Sequence, residues 1–203
     1  GMLRYGEHGL YSAEETEHML LSGDRTYNLY TYENQVDHYQ QDHYQVHFSH
    51  RFSPEVNINM ALHYTKGRGY YEEYKADRKF ADYGLPLLLV GGQEIKRTDL
   101  IRRKWLDNDF YGSIVSSQYR KGRLEATAGG GWNNYRGRHF GRILWARYMI
   151  DLSPDYEWYR NLGLKNDYNG YLKVLYRLAD NLDYYADLQY RGIDYSISGK
   201  DDD

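Results

Sequence analysis

The stretch EVNINMALHYTKG, residues 55–67, alternates between apolar and polar side chains at nearly every step. Successive side chains of a β-strand point to opposite faces, so this period of two predicts a strand with one apolar and one polar face. The apolar side chains are Val56, Ile58, Met60, Leu62 and Tyr64, and the intervening ones are Asn57, Asn59, Ala61, His63 and Thr65. The apolar face can cover a soluble sandwich core, line a ligand-holding barrel or contact lipid.

The same alternation recurs in segments that are joined by short turns, which predicts three β-hairpins. Their strands are expected within residues 42–66, 109–134 and 168–196. The turns are expected at Ser53–Glu55, Arg120–Arg123 and Ala179–Asn181. We expect two long loops between the hairpins, at residues 67–108 and 135–167, and an N-terminal loop region at residues 1–41.

A short helix is expected inside the N-terminal region. Ser12 and Glu15 have the spacing of a capping box, and Gly23 is a suitable helix end. The rest of the chain is predicted to be all-β, built from antiparallel hairpins that form a partial barrel or a sheet.

Strand length and loop asymmetry favour lipid as the partner of the apolar face. Each predicted strand has roughly ten residues, close to the ~9–11 of a tilted membrane strand and longer than the ~5–6 typical of soluble sheets. Short turns that alternate with long loops are typical of outer-membrane barrels. A soluble barrel with an apolar interior stays open, because alternation alone does not separate the two.

Composition excludes several other classes. The longest apolar run, within GLPLLLVGG, is too short for a membrane helix, and the net charge of -3 gives no electrostatic footprint for nucleic acid. The chain has no cysteine, which rules out disulfides and thiol catalysis. Tyrosine is unusually frequent, at 25 residues against 5 phenylalanines. Its apolar ring and polar hydroxyl suit strands and membrane–water boundaries.

Three stretches carry a resemblance to a known family: residues 31–85 (TYENQVDHYQ to KFADYGL), 99–147 (DLIRRKWLDN to GRILWAR) and 158–191 (WYRNLGLKND to YADLQYR). They resemble the barrel portion of TonB-dependent outer-membrane receptors of the Bacteroidetes type. The resemblance implies a roughly 22-stranded barrel with a plugged lumen, of which residues 1–203 would be a fragment. In such a fragment we expect no plug domain, no TonB-contacting segment and no closing strand.

The resemblance also implies a function. The parent would sit in the outer membrane of a Gram-negative bacterium and actively import an iron–siderophore complex or a similar large substrate. Its partners would be outer-membrane lipid, a plug domain, TonB and the transported chelate or glycan, and the fragment alone would not transport. Two alternatives stay open, a soluble β-barrel ligand-binding module and an envelope structural or adhesion β protein.

Two aromatic and basic segments hold the candidate ligand contacts, which are expected on loops. Arg102, Arg103 and Trp105 lie in RTDLIRRKWLDND, where guanidinium groups could grip the carboxylates or catecholates of a siderophore. The alternative is that they pair with Asp107 and Asp109 and anchor at lipid headgroups.

The second segment, GGGWNNYRGRHFGRILWARY, suits sugar stacking or siderophore capture. An aromatic girdle with a basic rim has the same composition, so that alternative stays open. Its candidate residues are Trp132, Arg138, His139 and Trp145.

No metal, cofactor or catalytic site is expected. His43 and His47 are four residues apart, a spacing that suits a metal on a helix but separates the side chains by ~13 Å on a strand. Polar lining of a lumen is the better interpretation of these residues. Since no Ser/His/Asp or paired-carboxylate arrangement stands out, we do not expect an enzyme. Open strand edges and an apolar band predict that the isolated fragment self-associates.

Overall fold

The computed structural model describes residues 12–23, 32–148, 153 and 156–201. The chain divides into two compact units, residues 1–35 and residues 36–203. In the first unit, helix α1 covers Ala13–Ser22. The Ser12 hydroxyl accepts a hydrogen bond from the Glu15 backbone, the Glu15 carboxylate accepts one from the Ser12 backbone, and Gly23 follows in the left-handed conformation. The predicted capping box is confirmed, while residues 1–11 and 24–31 lie outside the described residues.

The second unit is an antiparallel sheet of six long strands, which confirms the predicted all-β fold. Its strand order is β1-β2-β5-β6-β7-β8, so β1 and β8 are its edges and the described sheet is not closed. The strands are β1 (Val36–Arg51), β2 (Val56–Lys79), β5 (Arg97–Lys121), β6 (Leu124–Ala146), β7 (Glu157–Ala179) and β8 (Leu182–Lys200). A separate pair, β3 (Leu88–Val90) and β4 (Gln93–Ile95), follows a 3-10 helix at Phe80–Tyr83.

The register places all apolar side chains of the predicted alternation on one face. Tyr44, Val46 and Phe48 of β1 lie opposite Tyr64, Leu62 and Met60 of β2. Directly paired residues share a face in an antiparallel ladder, and this parity can be followed across the sheet. We call the face of Met60 and Leu62 the first face, and the face of Asn59 and His63 the second face.

The predicted long loops are the main correction. Residues 67–108 and 135–167 lie mostly in strands, because β2 continues to Lys79, β5 begins at Arg97, β6 continues to Ala146 and β7 begins at Glu157. The six strands are therefore 16 to 25 residues long. Beyond Tyr64 the alternation of apolar and polar residues fades, but backbone pairing and ion pairs between strands continue. Strand β1 likewise begins at Val36, inside the predicted N-terminal loop region.

The buried cluster of the second unit lies at the end of the sheet where β2 leads into β5. Residues 80–95, called the insert here, bring Phe80, Tyr83 and Leu85 onto Leu100 of the second face. Ala146, Trp158 and Tyr159 complete the cluster, and Trp158 is only 1% exposed. A side chain at Gly141 would overlap the Trp158 indole, so glycine is required for this close approach. None of the described helices has the length and apolarity needed to cross a membrane.

Candidate functional site

A row of aromatic side chains crosses the first face, one from each of the six long strands. In the sheet, Tyr44 stacks on Tyr64 with ring centroids 6.1 Å apart, and Tyr111 meets Trp132 edge to face at 5.7 Å. The members of this aromatic row are Tyr44, Tyr64, Tyr111, Trp132, Tyr168 and Tyr190. Three further tyrosines, Tyr119, Tyr176 and Tyr184, form a second row near the short hairpin turns.

The first-face side chains between the two aromatic rows form an apolar band. On β5 the rows are marked by Tyr111 and Tyr119, and on β7 by Tyr168 and Tyr176, which is about 26 Å along each strand. Along the six described strands, the band contains no Asp, Glu, Lys or Arg. Its larger members are strongly exposed, with Val46 at 65% and Leu188 at 72%. The band thus presents a continuous apolar surface that the described residues leave uncovered.

The second face of the same strand segments is polar. His63 Nε2 donates to Asn133 Oδ1 over 2.8 Å, and Asp167 is paired with Arg191. Charged side chains on this face over the height of the band are Arg51, Glu125, Lys173, Asp187 and Arg191. The two faces of one sheet therefore differ in polarity over the whole width of six strands.

A cluster of charges follows directly beyond the first aromatic row, still on the first face. Lys66 Nζ lies 2.7 Å from Asp107 and 3.2 Å from Asp109, and Arg138 lies 3.2 Å from Asp107. Tyr64 of the aromatic row donates its hydroxyl to Asp109 over 2.7 Å, which ties the row to the cluster. The charge cluster consists of Asp42, Lys66, Arg68, Asp107, Asp109, Arg136 and Arg138.

An aromatic stack lies next to the charge cluster, further from the band. The ring of Trp105 is parallel to that of Phe140 at 5.9 Å and packs on Tyr70 at 4.6 Å. The Arg68 guanidinium lies 5.7 Å from the Trp105 ring centroid. Arg68, Tyr70 and Trp105 line a groove of about 440 Å³ on the first face, together with His38, Gln40, Asp42 and Lys66.

The predicted ligand contacts are in strands rather than loops, and they divide between the two faces. Arg103, Trp105 and Arg138 come together in consecutive rows of β5 and β6 on the first face. Trp132 is also on this face but belongs to the aromatic row, and Trp145 lies exposed near the end of β6. Arg102 and His139 are on the second face, so the seven residues do not form one site.

Arg102 and Arg103 both have acidic partners. Arg102 donates to Glu73 over 2.7 Å and to the Tyr83 hydroxyl over 2.8 Å, which fastens the insert to the second face. On the other face, Arg103 donates to Glu72 over 2.7 Å and lies over the Tyr70 ring. The alternative expectation that Arg102 and Arg103 pair with Asp107 and Asp109 is therefore wrong. The partners of these two aspartates are Lys66 and Arg138.

Ionisation of the acids near the insert follows from these pairs. Burial by itself would raise the pKa of Glu73, but hydrogen bonds and charge from Lys75 and Arg102 bring that pKa below its ordinary value. Burial acts in the same way on Glu157, whose pKa is nevertheless lowered by Arg160 and Arg142. Both carboxylates are thus held in their charged form and serve as structural anchors.

His43 and His47 of β1 each contact a different neighbouring side chain. His43 Nδ1 is 2.9 Å from the Thr65 hydroxyl, and His47 is near Gln45 on the same strand. Within the part of the chain that the structure describes, no three His, Cys, Asp or Glu side chains gather as metal ligands.

Sequence reasoning missed the charge cluster and the groove beside it. Lys66, Arg68 and Tyr70 continue the parity of Leu62 and Tyr64, which was the available signal. These side chains are mostly polar, so the apolar–polar pattern no longer marks the strand. Successive side chains still point to opposite faces with a period of two. No family model and no curated protein matches the chain.

Proposed function

We propose that this chain is part of the wall of an outer-membrane β-barrel, within a TonB-dependent transporter for iron–siderophore complexes or a similar large substrate. The observation that carries the proposal is the uncharged apolar band, bounded by two aromatic rows and backed by a charged second face. Membrane barrels have an apolar band about 25 Å tall, flanked by aromatic girdles, with a polar interior.

Exposure of the band favours lipid over the soluble-barrel alternative. A soluble ligand-binding barrel turns its apolar face inward and its charges to water. Here the charge-free face extends across six strands and about 26 Å along each of them, whereas a monomeric soluble protein usually exposes apolar patches of a few hundred Å². Lipid contact on this face would remove that surface from water without any further protein.

The transporter part of the proposal rests on the family resemblance and on the length of the strands. Beyond the aromatic row, β2 and β5 continue for more than ten residues, and the insert packs on their second face. In a barrel, this face would line the lumen, with the insert near its outer entrance. Of the predicted ligand contacts, His139 and Arg102 are on this face, and Arg102 is engaged by Glu73 and Tyr83.

The open edges fit a wall segment. Strands β1 and β8 carry no further partner among the described residues, and in a barrel they would pair with neighbouring strands. In isolation, we expect the same edges and the apolar band to drive self-association.

The test is a deletion of the coding region in the bacterium that encodes the chain, combined with fractionation of its envelope. We expect the protein in the outer-membrane fraction, and loss of growth when a ferric siderophore is the iron source, restored by the intact gene. Cobalamin and glycans are assayed in parallel as other cargo. If the protein is in the outer membrane but its deletion changes the uptake of no substrate class, the proposed transport function is wrong and a structural role in the membrane is supported.

A further inference from the structure

The charge cluster beyond the aromatic row contains more cations than anions. Two of its carboxylates, Asp107 and Asp109, are shared by Lys66 and Arg138, and the third, Asp42, lies opposite Lys66 in the strand register. Arg68 and Arg136 are exposed and have no carboxylate partner among the described residues. Its four cations and three carboxylates leave one net positive charge, and Arg68 and Arg136 are the cations outside its ion pairs.

Arg68 and Arg136 lie at a definite height along the strands, just beyond the aromatic row. In the strand register, Arg136 lies opposite Asp109, one row beyond Tyr111, and Arg68 lies opposite Asp107, one row further. Each row of one face adds about 7 Å along the strand. If the aromatic row marks the boundary of the apolar region, both guanidinium groups lie at the height of the lipid phosphates.

We infer that the charge cluster binds the phosphate groups of anionic membrane lipids, through Arg68 and Arg136. This inference rests on the proposed function, because it requires the first face to contact lipid. A guanidinium group donates two parallel hydrogen bonds to a phosphate, which gives it an advantage over lysine as an anchor. Trp105 forms the floor of the groove beside Arg68, where the sugar or glycerol part of a headgroup would pack.

Charge complementarity favours a lipid over a dissolved anion. Arg68 and Arg136 are exposed residues of β2 and β6, on either side of β5, and they belong to one open face of the sheet. A layer of many phosphates matches such an arrangement, whereas a single free phosphate would contact one arginine at a time.

The test compares the full chain with the double variant Arg68→Gln/Arg136→Gln. Partition is measured by flotation with vesicles of phosphatidylcholine alone and vesicles of phosphatidylcholine mixed with phosphatidylglycerol. We expect the wild type to prefer the anionic vesicles, and the double variant to lose about fivefold of that preference for each arginine. The control Arg78→Gln/Lys79→Gln makes the same charge change at exposed positions of β2, fourteen and fifteen residues beyond Tyr64.

The outcomes separate this inference from the proposed function. Equal loss in both double variants would show a general charge effect and overturn the inference. An unchanged preference for anionic vesicles in Arg68→Gln/Arg136→Gln would also overturn the inference. Binding of that variant to phosphatidylcholine vesicles would still support the proposed function as part of a membrane barrel. Failure to bind either vesicle would instead count against the proposed function. Competition by inorganic phosphate at constant ionic strength would identify a free-anion site and contradict the lipid assignment.

Discussion

Aromatic side chains are buried in one region of the six-stranded sheet and exposed in another. At the insert, Trp158 is 1% exposed and packs with Phe80, Tyr83 and Leu100. In the aromatic row, Trp132 is 44% exposed, and Tyr190 is still more exposed at the edge. Both tryptophans are in long antiparallel strands of the same sheet, so backbone structure does not explain the difference.

The two regions differ in what shields their apolar side chains from water. The chain folds its own insert over the second face at one end, whereas the apolar band has no cover from the described residues. Hydrophobic burial stabilises a fold in proportion to the area removed from water. The insert end therefore supplies stability by itself, and the band supplies it only when another apolar phase is present.

The largest expected effect is on the free energy of unfolding, when the tryptophan of the buried cluster and the tryptophan of the aromatic row are each replaced by alanine. Trp158→Ala removes a buried indole above Gly141 and should lower the free energy of unfolding by about 3–5 kcal/mol. The same change at Trp132 should cost about 1 kcal/mol or less. Urea unfolding without detergent, at protein concentrations too low for self-association, measures both, and equal costs would contradict the distinction between a covered and an uncovered region.

A charge placed in the band should show which face meets lipid. Val115→Arg puts a cation midway between the aromatic rows, and should destabilise the chain folded into vesicles by about 2–4 kcal/mol. Ser116→Arg, one residue along the strand on the second face, is the matched control and should have little effect. The measurement is urea titration in vesicles, and a larger effect at Ser116 would reverse the assignment of the faces.

The anchor of the insert should give a smaller effect. Glu73→Gln removes the negative partner of Arg102 and should weaken packing of the insert by about 1–3 kcal/mol, because the guanidinium stays partly buried. Hydrogen exchange over residues 80–100 reports this change. The exposed pair of Glu94 and Lys96 provides the control, and Glu94→Gln should change little. Identical exchange in the two variants would mean that Glu73 does not hold the insert.

The smallest expected effect is a pH dependence at the same end. Since the folded-state pKa of Glu73 is below the ordinary value of 4.5, the unfolded chain binds more protons in that range. The contribution of Glu73 to stability is complete above 4.5 and is lost as the pH falls through the folded-state pKa. Trp158 fluorescence during acid titration should follow this loss, and Glu73→Gln should flatten the profile in part, because the pKa of Glu157 is lowered as well. An unchanged profile in Glu73→Gln would exclude Glu73 as a source.

Sequence reasoning reached the hairpins, their turns and the alternation in Val56–Tyr64, because a period of two is a direct consequence of strand geometry. It placed the strand ends wrongly, since it equated the end of the apolar pattern with the end of the strand. Lys66 to Lys75, and then Arg78 and Lys79, remain paired with β5 although their side chains are mostly polar. Because Arg102 and Arg103 are adjacent in a strand, the sequence already implied that they point to opposite faces. The positions of Arg68 and Arg136 on either side of β5 required the register.

The central claim is that the odd residues of β5 between Tyr111 and Tyr119 face lipid and the even ones face a polar lumen. The chain has no cysteine, so single-cysteine variants across residues 111–119 can each carry one spin label. In vesicles, we predict that labels at odd positions are reached by membrane-dissolved oxygen and labels at even positions by a water-soluble nickel chelate. Equal access of the nickel chelate to both sets, or odd positions shielded from both reagents, would contradict the lipid-facing band.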